Sequence, residues 1–289
     1  MENKIKTRNG NYVVRNEGQS KALEYLYRTR SGNLLLKALT RPIVSKIAGA
    51  FCDSPLSAFM IVPFIKKSGI DMREYYSGWF RSYNDFFTRQ IRSEYRPVDM
   101  SPEILISPCD SKLSAYKIGE NSRFEIKGGS YTVKSMLKCE KLARQYKNGW
   151  CLIFRLEVDD YHRYIYFDSG TKSDNTHING VLNTVNPIAL EKADFYKENS
   201  REFCILHTEN FGDAVQIEVG AMLVGRIKNH HQSRSVKRGQ EKGMFEFGGS
   251  TIVLLLKDGT AEIDEDILKN SSEGIETVVK MGERIGRRI

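Results

Sequence analysis

Phe247-Gly248-Gly249-Ser250-Thr251-Ile252-Val253-Leu254-Leu255-Leu256 joins two kinds of local physics. Paired glycines open backbone geometries closed to other residues, including positive φ. The residues after Ser250 are almost all apolar and rich in β-formers. A run of this kind, entered through glycines, is read as a β-strand. Similar runs recur outward from it at Ile104-Leu105-Ile106-Ser107, Leu152-Ile153-Phe154-Arg155-Leu156 and Ala214-Val215-Gln216-Ile217-Glu218-Val219, separated by Gly, Asn and Asp. Residues 96–289 are therefore expected to form a β-rich core, with one helix over Lys134–Tyr146.

The texture differs before Arg96-Pro97. Residues 1–20 carry Asn-Gly and Glu-Gly turn signals and read as a short strand or hairpin. Beyond Ser20 the apolar residues recur at helical spacing, through Leu23, Leu26, Tyr27, Leu34, Leu35, Leu36 and Leu39, then Ile43, Ile47, Ala50 and Phe51. Asp71 is placed to cap a following helical turn, with Glu74 three residues on. A helical N-terminal region (1–95) ahead of a β-rich core (96–289) predicts an α+β fold. The apolar stripe of such a basic helical region either packs on the core or lies in a membrane interface.

The chain has 289 residues, 40% hydrophobic and 28% charged, the balance of a globular protein. Its net charge of +8 suits nucleic acid, anionic lipid or acidic substrates without choosing among them. Cys52, Cys109, Cys139, Cys151 and Cys204 form no CxxC pair and read as reduced thiols of a cytoplasmic protein. The amino terminus lacks the apolar core of a signal peptide. Ser54–Ile65 is the best candidate for a membrane segment, but it is short of the roughly 20 residues a span requires and carries Pro55 and Pro63. The reading is of a protein that does not cross a membrane but has the means to lie on one.

Three places carry candidate chemistry, each with a plainer reading beside it. Ser250 follows two glycines, so its hydroxyl can reach the preceding carbonyl and begin an N-to-O acyl shift; alone, the motif is a glycine turn entering a strand. Asp110, in Ser107-Pro108-Cys109-Asp110-Ser111, can orient an imidazole, or simply make a turn. His162, in Asp159-Asp160-Tyr161-His162-Arg163, can act as general base, or be a loop histidine bonded to a neighbour. Other motifs are weaker. His230-His231 lacks the spacing of a zinc site, and the Ser233–Lys242 stretch reads as a solvated basic loop without the aromatics of a nucleic-acid surface. Lys127-Gly128-Gly129-Ser130 lacks a Walker lysine, and no GxSxG elbow is present.

Taken in order, these segments resemble the phosphatidylserine decarboxylase family over roughly residues 20–289. Asn84-Asp85-Phe86-Phe87-Thr88-Arg89 and Arg96-Pro97 are similar to its Phe-Phe-x-Arg and Arg-Pro segment. Ser107-Pro108-Cys109-Asp110 is similar to its Asp motif, although Ser111 stands where Gly is usual. Lys127-Gly128 with Tyr131, Asp160-Tyr161-His162-Arg163 and Gly220-Ala221-Met222-Leu223-Val224-Gly225 follow in place. The run Gly239-Gln240-Glu241-Lys242-Gly243, then Phe245-Glu246-Phe247-Gly248-Gly249-Ser250-Thr251, is the longest and most specific match.

The resemblance implies a zymogen that cuts itself between Gly249 and Ser250 into a β chain (1–249) and an α chain (250–289). Ser250 would become a covalent pyruvoyl group that forms a Schiff base with phosphatidylserine and releases CO2 and phosphatidylethanolamine, with no metal. His162 and Asp110 are the implied catalytic partners. The implied molecular partners are phosphatidylserine in an anionic membrane surface, the two chains of one precursor, and a second copy in a homodimer. The implied location is the cytoplasmic face of the cell membrane, bound peripherally through the N-terminal region. One position departs from the family. A second histidine, three residues after the first and credited with self-cleavage, is replaced here by Ile165. His162 acting with Asp110 is the expected substitute, with His177 or a non-processing, lipid-binding protein as the alternatives.

Overall fold

The computed structural model describes residues 4–13, 29, 42–126, 129–180, 199–220, 226–247 and 250–289, with backbone alone over 42–46. β1 (Lys4–Lys6) is followed by a helical region: α1 (Pro42–Asp53), a 3-10 turn over Pro55–Met60, α2 (Ile61–Ser68) and the short α3 (Tyr83–Phe87). Strands then dominate. β2 (Ile104–Ile106) and β3 (Ser111–Lys117) flank Asp110, and β4 (Phe124–Ile126) and β5 (Gly129–Tyr131) precede α4 (Val133–Leu137) and α5 (Glu140–Arg144). β6 (Trp150–Leu156), β7 (Arg163–Ile165), β8 (Gly170–Lys172), β9 (Thr176–Ile178), β10 (Arg201–Thr208) and β11 (Asp213–Val219) come next. After them run β12 (Ile227–Asn229), β13 (Arg234–Val236), β14 (Glu241–Phe245) and β15 (Ser250–Leu256). The chain ends with β16 (Ala261–Ile263), α6 (Glu265–Ser272), β17 (Ile275–Val279) and β18 (Arg284–Arg288). The fold is α+β, as expected.

The main sheet has the order β1-β17-β3-β6-β15-β11-β10-β8-β13, with β9 also paired to β10. Only β1 and β17 run parallel among these pairs. Smaller sheets, β12-β14-β7 and β16-β18-β2, accompany it. β15 sits between β6 and β11, and all of Ser250–Leu256 is buried. Its alternating side chains divide between two cores. Ile252, Leu254 and Leu256 join Leu152, Phe154, Leu156 and Leu206; Val253 and Leu255 join Cys151, Ile153, Val215 and Ile217. Burial on both faces explains why this run is continuously apolar instead of alternating.

Three of the four apolar runs recognised in the sequence are thus neighbours, β6, β15 and β11, at the centre of one sheet. The fourth, β2, belongs to a separate three-stranded sheet. The single helix expected over Lys134–Tyr146 is two short ones. Thr132 and Ser135 form a reciprocal capping box for α4, and Lys138 then turns left-handed at φ 50°, which ends the helix before α5 begins. At the amino end, Gly10 (φ 81°) turns the chain back so that Tyr12 bridges Lys6. Leu23, Leu26, Tyr27, Leu34, Leu35, Leu36 and Leu39 lie outside the described residues. Asp71 caps as expected, accepting from Arg73 N at 3.0 Å, but the turn it starts is a 3-10 turn and Glu74 instead faces Arg96 at 3.3 Å.

The helices show two faces. Cys52, Ile61, Tyr83, Phe86 and Phe87 form a third apolar cluster with Phe64, Ile65 and Phe247. Ile47, Ala50, Phe51, Leu56, Phe59 and Val62 are exposed. Among the described residues no single helix is long and apolar enough to cross a membrane; the segments Ile47–Asp53 and Pro55–Ser68 meet at 80°.

The two-sided burial of β15 predicts the cost of hollowing it. Leu254→Ala should destabilise the protein by roughly 2–5 kcal/mol, the usual range for a fully buried leucine in a core that cannot collapse. Urea denaturation at neutral pH measures it; a loss under about 1 kcal/mol would contradict this packing.

Candidate functional site

The site assembles around the approach to Ser250. Ser250 is the first residue of β15, fully buried and in register with Leu156 of β6. From Leu156 the chain loops through residues 157–161 to His162, whose carbonyl accepts the amide of Phe245 at 3.0 Å. Two stretches, 156–162 and 245–250, are therefore pinned together at both ends, by Leu156 with Ser250 and by His162 with Phe245. His162 and Ser250 lie on this one closed circuit. Gly248 and Gly249 fall outside the described residues.

His162 is buried and tightly oriented. Its Nδ1 is 2.9 Å from the Asp160 carbonyl, which can only accept, so Nδ1 carries the hydrogen and Nε2 is the basic nitrogen of the neutral ring. The ring packs at 4.1 Å between centroids on Phe87 of α3, and Phe87 in turn meets Phe247 edge-on at 5.3 Å. The loop that presents His162 is fixed from beneath. The Asp160 carboxylate accepts Lys112 Nζ at 2.8 and 2.7 Å and the Glu157 amide at 2.7 Å. Burial raises the Asp160 pKa, and the Lys112 ammonium opposes the rise.

Asp110 lies in the turn between β2 and β3, where the structure commits it elsewhere. Arg96 grips it with Nε at 2.8 Å and Nη2 at 2.6 Å, Met281 N donates at 2.8 Å, and Lys280 Nζ stands at 3.5 Å. Burial alone would raise its pKa, but Arg96, Lys280 and the Met281 amide outweigh burial and hold it below the ordinary carboxylate value. Its carboxylate makes no hydrogen bond to His162 among the described residues. The two residues are linked by backbone, because Pro108 O accepts the amide of Ile165, three residues beyond His162.

Ile165 itself is buried in the main core, opposite Glu241 of β14. His177 sits on β9, half-exposed and facing Glu202 at 3.4 Å. β10 and β11 separate it from β15, roughly 14 Å at ordinary strand spacing. His230 Nε2 meets Glu241 Oε1 at 2.6 Å, and no group of three His, Cys, Asp or Glu side chains among the described residues is arranged to hold a metal.

The Ser233–Lys242 stretch corrects the sequence reading. Ser233, Arg234, Ser235 and Lys237 are exposed, but Arg234–Val236 is β13, Arg238 is buried with its guanidinium on the carbonyls of Asp99 and Phe167, and Lys242 is fully buried. Lys242 pairs with Glu218 at 2.7 Å and donates to Asn229 Oδ1 at 2.8 Å. Glu218 is opposite Ile252, so it is the diagonal neighbour of Ser250 on the same face, about 7–8 Å away in a regular ladder. Burial raises the Glu218 pKa, with Lys242 opposing. Reading by motif included Phe87 and Arg96 in the family-like segments but gave neither a role, and it gave none to Glu218, whose only local signal is a charge inside a β-strand.

Comparison with known proteins adds to this geometry. The family profile described as Phosphatidylserine decarboxylase matches residues 83–287. Phosphatidylserine decarboxylase proenzyme 2 of Clostridium acetobutylicum is 50% identical over 265 residues, 91% of each chain. The phosphatidylserine decarboxylase proenzyme of Clostridium tetani is 43% identical over 282 residues, 96% of this chain and 95% of its own. That of Clostridium botulinum is 42% identical over 287 residues, 97% of each.

The Arg96–Asp110 pair makes a prediction with a definite pH sign. A carboxylate whose folded pKa is lowered contributes stability that is complete above its unfolded value and is lost as pH falls through the folded value. Asp110→Asn, which removes the nearer carboxylate from the buried Arg96 cation and leaves it Glu74 at 3.3 Å, should cost up to about 3–5 kcal/mol at pH 7. The difference from wild type should shrink as pH falls below about 4. Urea melts at both pH values test it, and an equal deficit at each would refute the assignment.

Proposed function

We propose that this chain, which belongs to the phosphatidylserine decarboxylase family, is a self-processing enzyme that decarboxylates phosphatidylserine to phosphatidylethanolamine after cutting itself before Ser250. The observation that carries the reading is the closed circuit of 156–162 and 245–250, which puts a buried, oriented histidine beside the approach to a serine at the very start of a central strand. The proenzyme names of the relatives agree with it.

In this reading His162, with its hydrogen on Nδ1, uses Nε2 to take the proton of the Ser250 hydroxyl. The oxygen attacks the Gly249 carbonyl carbon and the peptide C–N bond breaks, giving an ester. Loss of the Ser250 α-proton expels the Gly249 carboxylate, and water replaces the resulting enamine nitrogen, released as ammonia, to leave a pyruvoyl end on the α chain. The site suits that end: from Thr251 onward the ladders of β15 lie beyond both the cut and the lost nitrogen, so they stay in place. The pyruvoyl carbonyl supplies the group that takes up the substrate amine as a Schiff base and accepts the electrons left when CO2 departs. Asp110 acts through position: it ties Arg96 of the β chain to Met281 of the α chain.

Denaturing gels with intact mass test the reading. The purified protein should run as residues 1–249 and a 40-residue fragment, 250–289, with a carbonyl-bearing end. Ser250→Ala should stay whole, and His162→Ala should split at least about 100-fold more slowly, the usual range for losing a general base. A wild-type chain that stays whole would instead favour the non-processing, lipid-binding reading to which Ile165 points. A His162→Ala chain that splits at the wild-type rate would remove His162 from the step.

The exposed apolar set Ile47, Phe51, Leu56, Phe59 and Val62, beside Lys66 and Lys67, supports peripheral attachment to an anionic membrane as the route to a lipid substrate. Leu56→Glu with Phe59→Glu should lower co-sedimentation with anionic vesicles several-fold while self-cleavage proceeds. Unchanged co-sedimentation would place the docking surface elsewhere.

A further inference from the structure

The carboxamide of Asn84 is buried on α3 and bonded in two directions. Its Oδ1 accepts the amide of Phe247 at 3.0 Å, and its Nδ2 donates to Asp53 Oδ1 at 2.7 Å. These partners fix the orientation of the amide, because a backbone N–H can only donate and a carboxylate only accept. Asp53, the last residue of α1, uses its other oxygen to accept Arg226 Nη2. Arg226 is also paired with Glu246, and its carbonyl accepts the Glu246 amide at 3.0 Å. The ring of Phe247 is held as well, edge-on to Tyr83 at 5.0 Å and to Phe87 at 5.3 Å. One relay, Arg226–Asp53–Asn84–Phe247, thus grips the chain three residues before Ser250.

We infer that Asn84 is a positioning residue for self-cleavage, holding the upstream end of the segment whose downstream end is held by the β15 ladders. The inference rests on the self-processing reading above. An N-to-O acyl shift needs the serine oxygen close to the preceding carbonyl carbon, and two glycines in a free segment give it many conformations to search. Anchoring Phe247 on one side and Ser250 on the other shortens that search. Asparagine suits the position because it offers an acceptor to Phe247 and a donor to Asp53 at once. An aspartate in its place would set two carboxylates against each other, while an asparagine in place of Asp53 would set an NH2 against either Asn84 or Arg226. Making both changes restores the complement. The new carboxylate on α3 would accept from Phe247 and from the new carboxamide nitrogen at the end of α1, whose oxygen would accept from Arg226.

The test follows newly translated full-length chain on denaturing gels. Asn84→Asp and Asp53→Asn should each split at least about tenfold more slowly than wild type, a coupling in the ordinary range for contacting groups. The Asn84→Asp/Asp53→Asn double variant should recover to within about threefold. Hydroxylamine, which cleaves an accumulated ester, should not restore splitting in Asn84→Asp, because positioning acts before the ester forms. Thermal melts of the same three variants in the uncut Ser250→Ala background give the control. Single variants that split at the wild-type rate overturn the inference, as does a double variant no faster than Asn84→Asp. Melting temperatures that fall in step with cleavage across the set would make the role structural and overturn it too. A wild-type chain that stays whole overturns self-processing itself, and this inference with it.

Discussion

The protein is organised around the requirement that β15 be held on both faces and both edges, by β6 from Ser250 and by β11 from Thr251. β6 and β11 satisfy its backbone groups, and two separate apolar cores cover its sides. The rest of the C-terminal segment is woven in the same way. β17 lies between β1 and β3, while β16 and β18 build a second sheet with β2. Residues 250–289 therefore contribute β15, β17 and β18 as interior strands, with β16 at the edge of the second sheet. A chain interrupted before Ser250 keeps every one of these pairings, since none of them crosses the 249–250 bond.

Among the buried ion pairs of the described residues are Arg96–Asp110, Lys112–Asp160 and Lys242–Glu218. Desolvation makes such pairs poor sources of net stability, and well-packed hydrophobic residues would often do as well. Their placement explains them better than their energy does. Lys112–Asp160 stiffens the loop that presents His162. Arg96–Asp110 joins the turn before β3 to Met281. Lys242–Glu218 lies on the same sheet face as Ser250, with Asn229 bridging Lys242, Glu218 and Glu202. Gly243 follows Lys242 because a Cβ there would sit 2.3 Å from the Lys228 carbonyl. Tight backbone approach thus delivers the lysine into the interior.

What could be read in advance divides along physical lines. The central strands were legible because burial on both faces writes a continuous apolar run, as at Ile252–Leu256. Ser250 and His162 stand out as candidates because glycine pairs and a histidine among acids are uncommon locally. Partnership was not legible. Nothing in the run around Asp110 says that its carboxylate turns to Arg96, 14 residues earlier, and to Met281, 171 residues later, with no hydrogen bond to His162. Nor does the basic composition of 233–242 reveal that Arg238 and Lys242 are buried, because long cations are exposed by default and go inside only for partners distant in sequence. Lys138 defeated the helix reading for a related reason: a left-handed turn at a non-glycine residue leaves no mark in composition.

The helical region acquires its meaning from having two unlike faces. Inward, Cys52, Ile61, Phe64 and Ile65 pack on Tyr83, Phe86 and Phe87, and that cluster ends on Phe247. Outward, the same helices and the turn between them present Phe51, Leu56, Phe59 and Val62 to solvent. An apolar face left open this way costs solubility and adds nothing to folding, so it argues for a surface that meets something apolar. Between that outward face and the site lies α3, on which the inward residues of the other helices pack. On its inner side it touches His162 through Phe87 and the chain before Ser250 through Asn84. In the proposed reading, helices placed so would meet an apolar surface on one side and hold the segment before Ser250 on the other, an arrangement that suits a substrate anchored in a bilayer.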